Sequence, residues 1–407
     1  MSWQQQARLF VNPRAAGRTA YGGAPAEVLN EAGFARALAT IRSWPGYAPT
    51  PLVPLPGLAA AAGLGEVWYK DEAGRFGLGS FKALGGAYAV GRLLAREVAA
   101  RTGAAAVTAA DLQAGRHRDI TGAITICCAT DGNHGRSVAW GAMTFGCRCV
   151  IYIHATVSEG RERAIERFGA LVRRTPGNYD DSVRQAARDA EANGWFVVSD
   201  TSYEGYTDVP RDVMQGYAVM AEEALRQLPP GGPPSHVFVQ GGVGGVAAAV
   251  CAQLWRRLGA DRPRFVVVEP ERADCLYQSA LAGKRTPASG DADTIMAGLA
   301  CGEASLLAWR VLETGADAFM TVPDDSAPDL MRRLAGGSGG DRPLVAGESA
   351  VAGLAGALAA LADPDKAAAL GLGPDGRVLV FGTEGATDPE LYARIVGRPA
   401  EEVGAAP

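Results

Sequence analysis

Lys82 lies in the run Ser80-Phe81-Lys82-Ala83-Leu84-Gly85-Gly86, where its immediate neighbours offer almost nothing polar. A lysine early in a helix is ordinarily a solvated surface residue, and the apolar setting sets this one apart. Desolvation disfavours the ammonium and lowers the amine from its ordinary pKa of about 10.4. A neutral amine is what attack on an aldehyde requires, so residue type and setting together suit Schiff-base chemistry.

A second constellation is Gly241-Gly242-Val243-Gly244-Gly245, which joins an apolar strand to a helix. Glycines there let the backbone close on an anion, while the helix N-terminus supplies free N–H groups and a favourable dipole. A phosphate is the expected guest, and a ligand-free tight turn fits less well because four of the five positions lack side chains. No Lys-Ser/Thr pair follows, so the Walker pattern is absent. Gly242, Gly244 and Ala247 also satisfy the dinucleotide pattern, with Glu269 ending the next strand where an acidic residue would meet a ribose. Taken alone, the loop therefore leaves NAD and a pyridoxal phosphate both open.

Further polar residues fall where strands end. Asp131, in Thr130-Asp131-Gly132-Asn133-His134-Gly135, is either a reacting carboxylate or an N-cap for the following helix. Asp200 closes Val197-Val198-Ser199 and serves either the chemistry or a local turn. His134 reads as a supporting or structural residue.

The elements that must carry these residues alternate. Strands are expected at 67–70, 123–128, 149–153, 171–174, 195–199, 236–240, 265–269 and 378–381, with helices at about 82–100, 134–145, 158–168, 180–193, 211–227 and 246–258. This is the pattern of parallel sheets with right-handed crossovers, an α/β class in which ligands gather beyond the carboxyl ends of the strands. Ala/Leu-rich helices are expected through much of 295–362. Residues 1–45 form an extension with one helix near 24–44, and everything past about Val396 reads as tail.

With 407 residues, two packed domains are expected. A net charge of −5 with scattered basic residues lacks the footprint of a nucleic-acid binder. No apolar run reaches the roughly 20 residues of a membrane span, and the start does not resemble a signal peptide, so a cytoplasmic location is expected. The seven cysteines are odd in number and read as buried thiols, Cys147 and Cys149 sharing one strand without a second pair to complete a zinc site.

Together, Lys70-Asp71-Glu72 through Gly86, Thr130 through Arg136, Asp200-Thr201-x-x-Glu204-Gly205-Tyr206, the Gly241–Gly245 loop, Glu269-Pro270, Gly298 through Glu303 and Thr383 through Asp388 make the chain resemble fold-type II pyridoxal 5'-phosphate (PLP) enzymes. These include the threonine and serine dehydratases and the tryptophan synthase β superfamily. The resemblance, from about Tyr47 to Pro389, is greatest to 2,3-diaminopropionate ammonia-lyases.

It implies two doubly wound open-sheet domains with the cofactor in the cleft between them: a large PLP domain of residues 1–84 and 206–407, and a small one of 85–205. It also implies that Lys82 forms the Schiff base with Phe81 beside the cofactor, and that Gly241, Gly242, Val243, Gly244 and Gly245 hold the phosphate. Asn133 would bond the phenolic oxygen, and Thr383 would face the pyridine nitrogen. A neutral hydroxyl there weakens the electron sink and favours elimination. Thr130, Asp131, Gly132 and Asp200 would meet a small amino-acid substrate, with Asp131 serving as a base opposite Lys82 and Asp200 attracting a second amino group or assisting the base. Gly79 departs from the Asn expected in many ammonia-lyases, so the lysine loop is expected to differ locally. Cys275 and Cys301 fall in family-like segments and are expected near one another, as thiols by default.

The reaction so implied is α,β-elimination of D- and L-2,3-diaminopropionate to pyruvate and ammonia, by a homodimer. The alternatives are a serine, threonine or hydroxyaspartate dehydratase, a biosynthetic β-replacement enzyme, a PLP-fold protein without turnover and, from another class, an NAD-dependent oxidoreductase.

Overall fold

The computed structural model describes residues 2–130 and 132–404. Eleven strands are found among them: β1 (Arg8–Val11), β2 (Leu52–Pro54), β3 (Glu66–Asp71), β4 (Thr125–Ala129), β5 (Arg148–Ile153), β6 (Leu171–Arg174), β7 (Phe196–Val197), β8 (His236–Gln240), β9 (Arg264–Pro270), β10 (Ala318–Val322) and β11 (Arg377–Gly382). The chain divides into two compact units. One comprises residues 1–30, 49–74 and 220–407, and the other residues 31–48 and 75–219. These boundaries differ from the 84/85 and 205/206 crossings that the family resemblance implies.

The first unit holds a seven-stranded sheet in the order β1-β10-β9-β8-β11-β3-β2. Its five inner strands run parallel, and the two edge strands are antiparallel to their neighbours. The inner strands are buried on both faces, which is why His236–Gln240 and Ala318–Val322 are buried at every position rather than alternating. The wholly apolar helix Ala352–Leu361 packs into the core of this unit.

Three expectations need correction here. Ala318–Val322 is a strand inside the stretch read as Ala/Leu helices. The N-terminal extension contributes the edge strand β1, and its helix is broken into Gly23–Val28 and Glu31–Arg42. Past Val396 the chain forms a further helix, Ala400–Gly404, whose Val403 is buried, so this segment is packed rather than tail.

The second unit holds a four-stranded, all-parallel sheet in the order β6-β5-β4-β7. Its helices Ala83–Thr102 and Asn133–Phe145 pack closely because glycines remove the side chains between them. A Cβ on Gly86 would lie 2.0 Å from Ser137 Oγ, and one on Gly141 would lie 2.8 Å from the Ala87 backbone. Arg136, buried on the second helix, donates to the Leu78 carbonyl at 2.9 Å and so ties that helix to the loop preceding Lys82.

Candidate active site

In the four-stranded unit, β4 pairs with β7 through Cys127 and Val197, so counting three residues on brings Thr130 and Asp200 level beyond the strand ends. Lys82 immediately precedes the helix Ala83–Thr102. Its Nζ donates to Asp200 Oδ2 at 2.7 Å, with the two side chains 19% and 15% exposed. The surroundings of Lys82 are therefore not simply apolar: Ala83, Leu84 and Phe81 are buried as expected, but a carboxylate from a distant strand end meets the amine. Burial raises the Asp200 carboxyl, and the Lys82 ammonium beside it more than offsets this, holding it well below the ordinary carboxylate range.

Local bonds also brace this strand end: Ser199 Oγ accepts from the Thr201 amide, and Asp200 Oδ1 accepts from Thr201 Oγ1 at 3.5 Å. Tyr206 fixes the strand end from which Asp200 projects. Its hydroxyl donates to the Val197 carbonyl at 2.9 Å and accepts from the Ser199 amide at 3.0 Å. His134 Nε2 bonds the Val198 carbonyl at 2.8 Å, which makes Nε2 the protonated nitrogen and turns the Nδ1 lone pair toward Asp200 Oδ2, 3.8 Å away. Burial lowers the His134 pKa and keeps the ring neutral.

Thr130 is buried, and its Oγ1 accepts from the amides of Gly132 and Gly135, each at 3.0 Å. Thr130 thus satisfies amides at the start of the helix Asn133–Phe145. Asp131 itself lies outside the described residues. Gly132 sits at φ +152°, a backbone conformation suited to glycine, and Asn133 opens the helix. Phe81 packs on Tyr217 with ring centroids 4.6 Å apart, and Lys82 Nζ lies 5.3 Å from the Phe81 ring centre. Tyr217 had no signal in the sequence: its ring occupies the space left by Gly85, where a Cβ would come within 2.3 Å of it.

In the seven-stranded unit, Gly241–Gly245 connects β8 to the helix Gly245–Leu258. Gly242 and Gly244 adopt φ +60° and +95°. The Gly244 amide turns back to the Gly241 carbonyl, whereas those of Gly242, Val243 and Gly245 have no hydrogen-bond partner among the described residues. Free amides at the start of a 14-residue helix form an anion cradle.

Glu269, at the end of β9, removes the dinucleotide alternative. It is fully buried, and its two oxygens accept from the Leu276 and Tyr277 amides at 2.9 and 2.7 Å, leaving no exposed carboxylate for a ribose. Burial pushes its pKa up to about 8 against the opposing pull of those amides. All seven cysteines are free thiols. Cys275 and Cys301 border the loop from two directions: Cys275 Sγ lies 3.5 Å from the Gly242 carbonyl, and a Cβ on Gly242 would lie 3.7 Å from Cys301 Sγ.

Thr383 follows β11 and is buried. Its Oγ1 accepts from Gln240 Nε2 at 2.5 Å. The sequence signal for Gln240 is a polar residue that follows Val237-Phe238-Val239 and directly precedes the glycines. Each unit by itself suits a part of pyridoxal phosphate: in the seven-stranded unit the cradle of unpartnered amides suits a phosphate and the Thr383 hydroxyl suits a ring nitrogen, and in the four-stranded unit Lys82 carries an amine suited to an aldehyde. Among the described residues no cluster of three or more His, Cys, Asp or Glu side chains is placed to hold a metal, and no helix is long and apolar enough to cross a membrane.

Comparison with known proteins agrees with this chemistry. The family model described as pyridoxal-phosphate dependent enzyme matches residues 43–384. The chain is 41% identical over 360 residues to a diaminopropionate ammonia-lyase of Escherichia coli (strain K12), covering 86% of this chain and 88% of that one. It is 39% identical over 398 residues to a diaminopropionate ammonia-lyase of Salmonella typhimurium (strain LT2), covering 94% and 97%. The crystal structure of the Escherichia coli diaminopropionate ammonia-lyase with an aminoacrylate-PLP azomethine reaction intermediate superposes with a TM-score of 0.83 at 36% identity, covering 96% of each chain.

Proposed function

The chain belongs to the pyridoxal-phosphate-dependent enzyme family, and on that premise we propose that it is an ammonia-lyase that eliminates ammonia from D- and L-2,3-diaminopropionate to leave pyruvate and a second ammonia. The observation that carries this reading is the likeness to diaminopropionate ammonia-lyases over almost the whole of both chains.

When bound, pyridoxal phosphate supplies the aldehyde for Lys82 and an electron sink that acidifies the Cα–H of an attached amino acid. The amides of Gly242, Val243 and Gly245, within the Gly241–Gly245 loop, would hold the phosphate. Asn133 would bond the phenolic oxygen, Thr383 would bond the ring nitrogen, and Phe81 would wall the amine. Lys82 Nζ takes the Cα proton of one enantiomer and the Asp131 carboxylate that of the other. Thr130 and Gly132 shape the approach to the substrate.

Asp200 gives the preference for a diamine. In the ligand-free arrangement its buried charge is balanced by the Lys82 ammonium. With a neutral Lys82 amine, as proton transfer at Cα would require, the carboxylate would lack that counter-charge and would favour a substrate that brings a β-ammonium. Serine and threonine carry a hydroxyl instead and offer no second cation, so a dehydratase would leave Asp200 without that partner.

The test is pyruvate release from D- and L-2,3-diaminopropionate, D- and L-serine, threonine and hydroxyaspartate, followed alongside the visible spectrum. Both diaminopropionate enantiomers should exceed the hydroxy amino acids by at least about tenfold in kcat/KM. Faster turnover of a hydroxy amino acid would make the chain a dehydratase, and consumption of pyruvate-forming flux by added nucleophiles would make it a β-replacement enzyme. A cytoplasmic location and a homodimeric assembly belong to the same proposal, and are checked by cell fractionation and by light scattering on the eluted holoenzyme.

A further inference from the structure

Gln240 ends β8 with its side chain buried at 1% exposure and reaches across to the end of β11. Its Nε2 donates to the Phe381 carbonyl at 2.9 Å and to Thr383 Oγ1 at 2.5 Å. The Phe381 carbonyl can only accept, so it dictates which end of the amide faces it: the flipped amide would set oxygen against oxygen. One amide hydrogen therefore goes to the Phe381 carbonyl and the other to Thr383, so the Thr383 oxygen is an acceptor. Its own proton must be donated elsewhere, and it has no protein acceptor among the described residues.

We propose that Gln240 is a positioning residue that sets the hydrogen-bond polarity of Thr383, presenting the hydroxyl as a donor and thereby keeping the cofactor's ring nitrogen unprotonated. This rests on the reading that Thr383 faces that nitrogen. An unprotonated ring nitrogen is an acceptor, and the Thr383 proton is the donor left over to meet it. A protonated nitrogen would bring a second donor to an oxygen already receiving one from Gln240 and would strand the hydroxyl proton without an acceptor. The unprotonated ring is the weaker electron sink, so charge developing at Cα is discharged by loss of the β-amino group rather than held long enough for Cα to be reprotonated. Gln240 thus acts on the choice of reaction through Thr383.

The experiment uses holoenzyme reconstituted with ring-15N pyridoxal phosphate. The ring-nitrogen resonance is read by NMR, and in D2O the deuterium incorporated at Cα of recovered substrate is measured per pyruvate formed. Wild type should show an unprotonated nitrogen. Gln240→Glu replaces the two donated hydrogens with acceptors, takes the Thr383 proton and turns the hydroxyl oxygen toward the ring. Its resonance should move to the protonated position and its exchange per pyruvate should rise about tenfold. Gln240→Met, which carries no charge into the buried site, frees the hydroxyl to rotate and should move both readouts part of the way. Wild-type resonance and partition in the folded Gln240 variants would overturn the role of Gln240. Thr383→Val separates the premise from the proposal: if it shifts the resonance while the Gln240 variants do not, only the Gln240 inference fails, and if it leaves the resonance unmoved, Thr383 does not face the ring and both fail.

Discussion

Lys82 and Asp200 balance one another across 118 residues of sequence, and the balance sets what each can do. Asp200→Asn leaves the Lys82 ammonium without its carboxylate, and a loss of about 1–3 kcal/mol is expected because the pair is only partly buried. The sign with pH follows from the depressed carboxyl. The stabilisation is fully present above the ordinary value of 3.8 and is lost as the pH falls through the lower folded value. Urea unfolding of both proteins should therefore show a wild-type advantage that is constant near neutrality and shrinks in acid. On activity, the same substitution should lower kcat/KM for diaminopropionate by about 100-fold and for serine by far less, since only the diamine brings a cation to position 200. Asp131→Asn should remove turnover of the D enantiomer while that of the L enantiomer persists. Equal loss on both would sink the division of proton transfer between Asp131 and Lys82.

The elements supply rigidity at the points where the chemistry needs a bare backbone. Gly244 sits at φ +95°, and a Cβ there would lie 3.0 Å from Ala308 Cβ and 3.2 Å from Leu276 Cδ2. Gly244→Ala combines strain with crowding and should cost about 1–3 kcal/mol. It should also weaken cofactor binding about tenfold or more, measured as the visible absorbance recovered on titrating pyridoxal phosphate into the ligand-free protein. Such elements were the legible part of the sequence: the glycine loop and most of the strand and helix alternation declare themselves through local composition and period. β10 was hidden because Ala318–Val322 is a short apolar run flanked by Ala/Leu-rich segments, where period cannot tell a buried strand from a buried helix. β1 gains its strand character only by pairing with β10, some 300 residues later. The same limit governed the site. Lys82 was found from its neighbours in sequence, whereas its partner Asp200, the Tyr206 clamp and the Gln240–Thr383 bond join residues that only the fold brings together.

At the scale of the whole molecule, one buried acid should leave a mark on how stability responds to pH. Glu269 joins the end of β9 to the start of the helix Cys275–Ala282 and fills the space beside Gly241, where a Cβ would meet its Cγ at 2.6 Å. Its folded pKa of about 8 lies above the ordinary 4.5, so the folded protein holds a proton that the unfolded chain has released between those values. Stability from this group is full below the ordinary value and declines as pH rises toward the folded one, at a limiting slope of about 1.4 kcal/mol per pH unit. His134 and His236, whose pKa values burial lowers, act in the opposite sense near neutrality, so the slope of the wild-type protein alone is ambiguous. The difference between wild type and Glu269→Gln isolates it. The glutamine keeps the shape but does not titrate, and it can accept from only one of the two amides, so it should be the less stable protein at pH 5. Its deficit should narrow as the pH approaches 8, followed by thermal midpoints of the two proteins across that range. A deficit that stays constant would show that Glu269 is ionised throughout, its charge fully met by the Leu276 and Tyr277 amides, and that the helix Cys275–Ala282 is pinned by a carboxylate rather than by a neutral acid.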